Sequence, residues 1–157
     1  ETLMTAPVTD VEVVISKFLS SWLVFALLWA PIWIYVLVLS RFGDPELGPI
    51  AAGFLGTMLL GATFLSVGVL ASALTRSQVI AAVVAFFGQC LLFLVGVLEF
   101  LTIEGAWHDT FHYLNVWSHM DDWGRGIVDT RYLVYYATVT LFSLFCAVRA
   151  LETRRWR

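Results

Sequence analysis

Four stretches without a single charged side chain constrain what this chain can fold into: residues 18–40, 47–75, 77–98 and 132–148. A helix crossing the hydrocarbon core of a bilayer needs about 20 apolar residues, within a range of about 17–25. Each window meets that length, which predicts an all-α integral membrane protein with four transmembrane helices. The fourth window is the shortest, and Arg131 and Arg149 at its edges can snorkel to water. The chain is 60% apolar, against about 45–50% in a typical soluble domain. Its mean hydropathy is +0.84. The charges bunch between the windows rather than diluting them. The first apolar run is too long for a secretory signal and lacks a basic segment before it. Cys90 and Cys146 both fall inside windows, so no disulfide framework is expected.

Residues 2–17, T-L-M-T-A-P-V-T-D-V-E-V-V-I-S-K, form the charge-bearing approach to these spans. Pro7 lacks an N–H and disfavours helix at Ala6, so a helical pattern breaks there. Thr9 with Glu12 three residues later makes a capping box, and Val8 can staple onto Val13. Val11, Val14, Ile15, Phe18 and Trp22 then share one helical face. The pattern predicts a short helix, a proline elbow, and a second helix running straight into the membrane.

This approach, T-L-x-x-A-P-V followed by x-D-x-E-V-V and a Lys, resembles the ABC-2 type transporter permeases, and among them the gliding-motility-associated permeases. Three later pieces share the resemblance: A-S-A-L-T-R-S-Q, S-H-M-D-D-W-G-R-G-I-V-D-T-R-Y-L-V-Y-Y, and the tail V-R-A-L-E-T-R-R-W-R. It implies a single membrane domain in which residues 1–17 are a cytoplasmic coupling segment seated on an ATPase subunit. Glu1, Thr2, Leu3, Met4, Thr5, Ala6 and Pro7 would then touch that ATPase. The family has six spans, so the resemblance also implies a chain truncated before Glu1, lacking two of them. It further implies an exporter in the bacterial inner membrane, in which a second permease subunit completes a homo- or heterodimer. ATP and magnesium would sit on the partner ATPase, with no cofactor on this chain.

Orientation follows from Lys and Arg. With the N-terminus inside, Lys17, Arg76, Arg149, Arg154, Arg155 and Arg157 are inner, and Arg41, Arg125 and Arg131 are outer. The excess predicts two cytoplasmic ends, with residues 149–157 a basic cytoplasmic tail suited to anionic headgroups rather than nucleic acid. Residues 99–131 become an outer loop of net charge −4.

Within the spans, Pro31 predicts a kink. Trp22, Trp29 and Trp33 fall on one stripe, read as packing or lipid contact in preference to a wall against substrate. Gly43 and Pro45 mark a turn. Gly53, Thr57, Gly61, Gly68 and Ser72 form a small-residue stripe, expected to be a helix-packing seam against another span or a second subunit. Thr75, Arg76 and Ser77 make a tight hairpin. Ala81, Ala85 and Gly88 offer a second seam, and Gln89 needs a hydrogen-bond partner in hydrocarbon. Glu99 and Glu104 are expected to be solvated.

Between residues 105 and 129, Phe111, Leu114, Trp117, Met120 and Trp123 recur at threes, predicting one or two amphipathic helices at the outer interface. H-D-T-F-H places His108 and His112 one helical turn apart, with His119 returning near that face; zinc or copper ligation is the sharp alternative. A metalloprotease would need Glu directly after the first His, where Asp109 stands. Asp121 and Asp122 diverge on a helix, whereas Asp121 and Arg125 can pair. No Gly-rich loop with Gly-Lys-Ser/Thr exists to cradle phosphates. The leading expectation is a permease subunit without catalytic residues. The alternatives are a membrane metalloenzyme using His108 and His112, and a non-transporting scaffold subunit.

Overall fold

The computed structural model describes residues 9–101 and 106–155. Its elements are all helices: α1 (Asp10–Trp29), α2 (Ile32–Phe42), α3 (Leu47–Leu74), α4 (Gln78–Leu101), α5 (Ala106–Leu114), α6 (Val116–Gly124) and α7 (Thr130–Arg155). Four segments among the described residues are long and apolar enough to cross a membrane: Asp10–Phe42, Leu47–Leu74, Gln78–Glu99 and Thr130–Thr153. Each coincides with one charge-free window to within a residue or encloses it. α1, α4 and α7 run past their windows because backbone hydrogen bonding does not stop where hydrocarbon does. α7 extends past Arg149, which pairs with Glu152 at 2.9 Å.

α1 starts where the capping box predicts. The Thr9 hydroxyl accepts from the Glu12 N–H at 3.3 Å, and the Thr9 N–H donates to the Glu12 carboxylate at 2.8 Å. Val8, the other half of the expected staple, lies outside the described residues. Thr9→Ala is expected to cost about 1 kcal/mol of helix stability. Hydrogen exchange at the Glu12 to Val14 amides should accelerate about five-fold, by the usual conversion of that energy.

The Pro31 kink is an interruption between two half-helices. Ala30 and Pro31 keep right-handed helical dihedrals, but Pro31 has no N–H to give. The flanking bonds shorten in sequence reach: the Ala30 N–H donates to the Leu27 carbonyl at 3.3 Å and the Trp33 N–H to the Ala30 carbonyl at 3.2 Å. α1 and α2 together are 33 residues long, or about 50 Å at 1.5 Å per residue. Hydrocarbon is about 30 Å thick, so the pair is longer than the layer it would cross.

α3 is the hub, packed against α1, α4, α6 and most extensively α7. Its buried positions include Ala52, Gly56, Gly61, Thr63, Ser66 and Ala71. Lipid provides no hydrophobic drive between helices, so close approach and hydrogen bonds hold such a bundle. Thr63 donates to the Leu59 carbonyl at 3.2 Å and so accepts from the Thr140 hydroxyl of α7 at 3.1 Å. Trp22 Nε1 donates to the Met58 carbonyl at 3.3 Å, and Gln89 Nε2 to the Phe64 carbonyl at 3.3 Å. Gln89 therefore ties α4 to α3, and the Trp stripe belongs partly to packing: Trp33 also meets Phe54 edge-on at 5.2 Å. The second small-residue seam turns inward, with Ala81, Ala85 and Gly88 half-buried. Thr75–Ser77 closes the hairpin between α3 and α4.

The segment before the last span forms the two short helices expected, but α6 is sunk in the bundle. Val116, His119 and Trp123 are buried, while Trp117 is 63% exposed. Gly56 is the reason. With no side chain on α3 at that point, the Trp123 indole occupies the space a Cβ would take.

Candidate functional site

Among the described residues, two places bring chemistry-bearing side chains together. The first is the junction of α4, α5, α6 and α7. Glu99, near the end of α4, meets two partners from the short helices: His112 Nδ1 lies 2.7 Å from Oε1, and the Asn115 amide donates to Oε2. Asn115 also caps α6, its side-chain oxygen accepting from the Trp117 N–H at 2.9 Å. Glu99 was expected to be solvated; its side chain is instead only 14% exposed, because the α5–α6 pair folds over it and supplies the hydrogen bonds water would have given.

One turn deeper, His119 is completely buried. Nε2 lies 3.1 Å from the Tyr113 carbonyl, which can only accept, so Nε2 carries the proton. Nδ1, 3.2 Å from the Tyr136 hydroxyl, then accepts from it. The ring stacks on Tyr132 with centroids 4.0 Å apart, and Tyr132 donates to Asp122 at 2.6 Å. Burial pushes the imidazole below its ordinary value of 6.5, against the pull of the Tyr113 carbonyl and the Asp122 carboxylate. Asp121 and Arg125 pair at 2.6 Å as the spacing predicts.

This arrangement commits both His119 nitrogens to the protein and His112 to Glu99. Among the described residues, no three His, Cys, Asp or Glu side chains gather as a metal site would require. The side chain of His108 lies outside those residues. So do Glu1, Thr2, Leu3, Met4, Thr5, Ala6 and Pro7, the expected ATPase contacts.

The second place is a groove between α1 and α3. Ser16, Lys17, Ser20, Ser21, Leu65, Gly68, Val69 and Ser72 line a cavity of about 530 Å³. Ser20, Ser21 and Leu65 also line a second cavity of about 460 Å³, which continues to Val24, Phe25 and Leu28. The five residues of the expected α3 seam divide around it. Gly61 is buried against the Phe25 ring, which would lie 2.2 Å from an added Cβ. Gly53 and Gly68 face open space, Ser72 is exposed, and Thr57 bonds back to the Gly53 carbonyl of its own helix at 2.8 Å. Besides Gly61, the buried positions of α3 include Ala52, Gly56, Thr63 and Ser66. Gly56 and Trp123 escape a sequence reading of the packing because α3 carries small residues all round; the Trp at the end of the α6 stripe is the one available signal.

These features define a multi-pass, all-helical membrane protein. Comparison with known protein families, with curated proteins and with solved structures finds no match.

Proposed function

We propose that the chain is the permease subunit of an ABC-2 type exporter, moving a substrate outward with ATP hydrolysed by a separate ATPase subunit. The observation that carries this reading is α1 itself. A capped helix runs unbroken from Asp10 to Trp29 and packs on α3 and α7, so displacement at its Thr9 end is delivered into the bundle. The interruption at Ala30 and Pro31 confines bending to one place. The family resemblance of residues 2–17 supplies the source of the push, an ATPase seated on Glu1 to Pro7 at the cytoplasmic surface. The sequence itself has no phosphate-cradling loop, so nucleotide chemistry belongs to the partner. A second permease subunit completes the pathway, and both ends of the chain are cytoplasmic.

The test is purification from native membranes. An ATPase should accompany the chain, with hydrolysis that depends on it. Pro7→Gly should leave insertion and that association intact while lowering transport per ATP about ten-fold, the effect of losing about 1.4 kcal/mol of coupling. Purification without any ATPase, or unchanged transport in the variant, counts against the proposal.

A further inference from the structure

The groove between α1 and α3 has a polarity gradient that no packing role explains. Its cation and hydroxyls cluster at one end, and its other end is apolar. Lys17 forms no ion pair among the described residues, and neither Ser20 nor Ser72 has a hydrogen-bond partner among them. Ser16 and Ser21 instead donate to carbonyls of their own helix, at 3.0 and 2.9 Å.

The gradient is aligned with the bilayer. On α1 the charge-free stretch begins immediately after Lys17, and on α3 it ends immediately before Arg76, close to Ser72. The polar end therefore lies at the edge of the hydrocarbon on both walls. The apolar end, between Val24, Phe25, Leu28 and Leu65, lies further inside along both helices. An amphiphile is the chemistry that fits such a site: a compact anion at the boundary and an alkyl chain within. The strongly hydrated ammonium of Lys17 suits a phosphate as a point charge, and a charge-assisted hydrogen bond is stronger than a neutral one.

We propose that this groove binds an anionic phospholipid from the leaflet beside the start of α1. Its phosphate lies on Lys17, Ser20 and Ser72, and one acyl chain runs past Val24 toward Leu28. Gly68 is the floor that makes room, because nothing stands within 4 Å of the position a Cβ would take there. The site is independent of whether an ATPase partner exists.

The test is native mass spectrometry of the delipidated, detergent-solubilised chain, titrated with phosphatidylglycerol, phosphatidylcholine or inorganic phosphate. Phosphatidylglycerol should bind one per chain, in preference to phosphatidylcholine, and inorganic phosphate should not displace it. Lys17→Gln should weaken phosphatidylglycerol binding about ten-fold, the loss expected for one hydrogen bond to a charged group. Gly68→Leu should abolish binding by filling the groove, with thermal stability unchanged because the new side chain meets open space. Equal binding of both lipids together with no effect of either variant overturns the proposal. Displacement by inorganic phosphate overturns it in favour of a free-anion site. A lipid-free dimer that Gly68→Leu dissociates overturns it in favour of a second copy seated in the groove.

Discussion

Gly56→Ala is expected to drive α6 out of the bundle, although it adds a single methyl group. The new Cβ would stand 1.6 Å from Trp123 Cε3, far inside contact distance. The indole has nowhere to retreat. It is 0% exposed, with Tyr136 and Tyr132 at centroid distances of 5.3 and 6.2 Å. Overpacking a close-fitted core costs about 1–3 kcal/mol, sometimes more. Here the strain is relieved by undocking the short helix, which also exposes His119. Thermal unfolding in detergent should shift down by several degrees, and Trp emission should move to the red. Gly53→Ala is the matched control on the same helix. Its Cβ would meet nothing within 4 Å, so stability should hold. Equal behaviour of the two variants would contradict the placement of α6 against α3.

The second large effect is a loss of stability in acid that traces to His119. The folded state holds the imidazole neutral, with its value pushed below 6.5 by burial. The unfolded chain protonates it at about the ordinary value of 6.5. Below that pH the unfolded state therefore binds the extra proton, and stability falls as pH is lowered from about 6.5 toward the folded-state value. Above about 6.5 the group is neutral in both states and its contribution is constant. Thermal unfolding of the parent chain between pH 7 and pH 5 should show this decline, and His119→Gln should flatten it. His119→Leu should destabilise at every pH. It leaves the buried Tyr136 hydroxyl without this partner, at about 1–3 kcal/mol. A pH profile in His119→Gln that matches the parent would remove His119 as the cause.

The membrane spans were legible because hydropathy and charge spacing report directly on the solvent each residue meets. The Thr9 and Glu12 capping box, the interruption at Pro31, the Thr75–Ser77 hairpin and the Asp121–Arg125 pair were legible for a related reason: each is decided within a few residues of sequence. What could not be read is decided across helices. α3 is apolar around its whole circumference, with Gly or Ala on several faces, so regular spacing selected a stripe that includes Gly61, packed on Phe25, and did not single out Gly56, which receives Trp123. His119 looked like one of three possible ligands because its partners, Tyr113 and Tyr136, lie on different elements. Glu99 looked solvated because no local pattern announces that Asn115 and His112 will fold over it. The stripe ending at Trp123 marked an amphipathic helix but not which surface would receive it.

The placement of α3 has a consequence for biogenesis. Thr63 and Ser66 are translated before α7, and Thr140, the α7 hydroxyl that bonds to Thr63, follows Thr63 by 77 positions. Until then the nascent helices must wait in lipid with their polar groups turned onto their own carbonyls, as Ser66 does toward Thr63 at 2.7 Å. This α3–α7 bond can only form once Thr140 has left the ribosome, so a chain halted before Thr140 would lack it, with α3 inserted but not tied to α7.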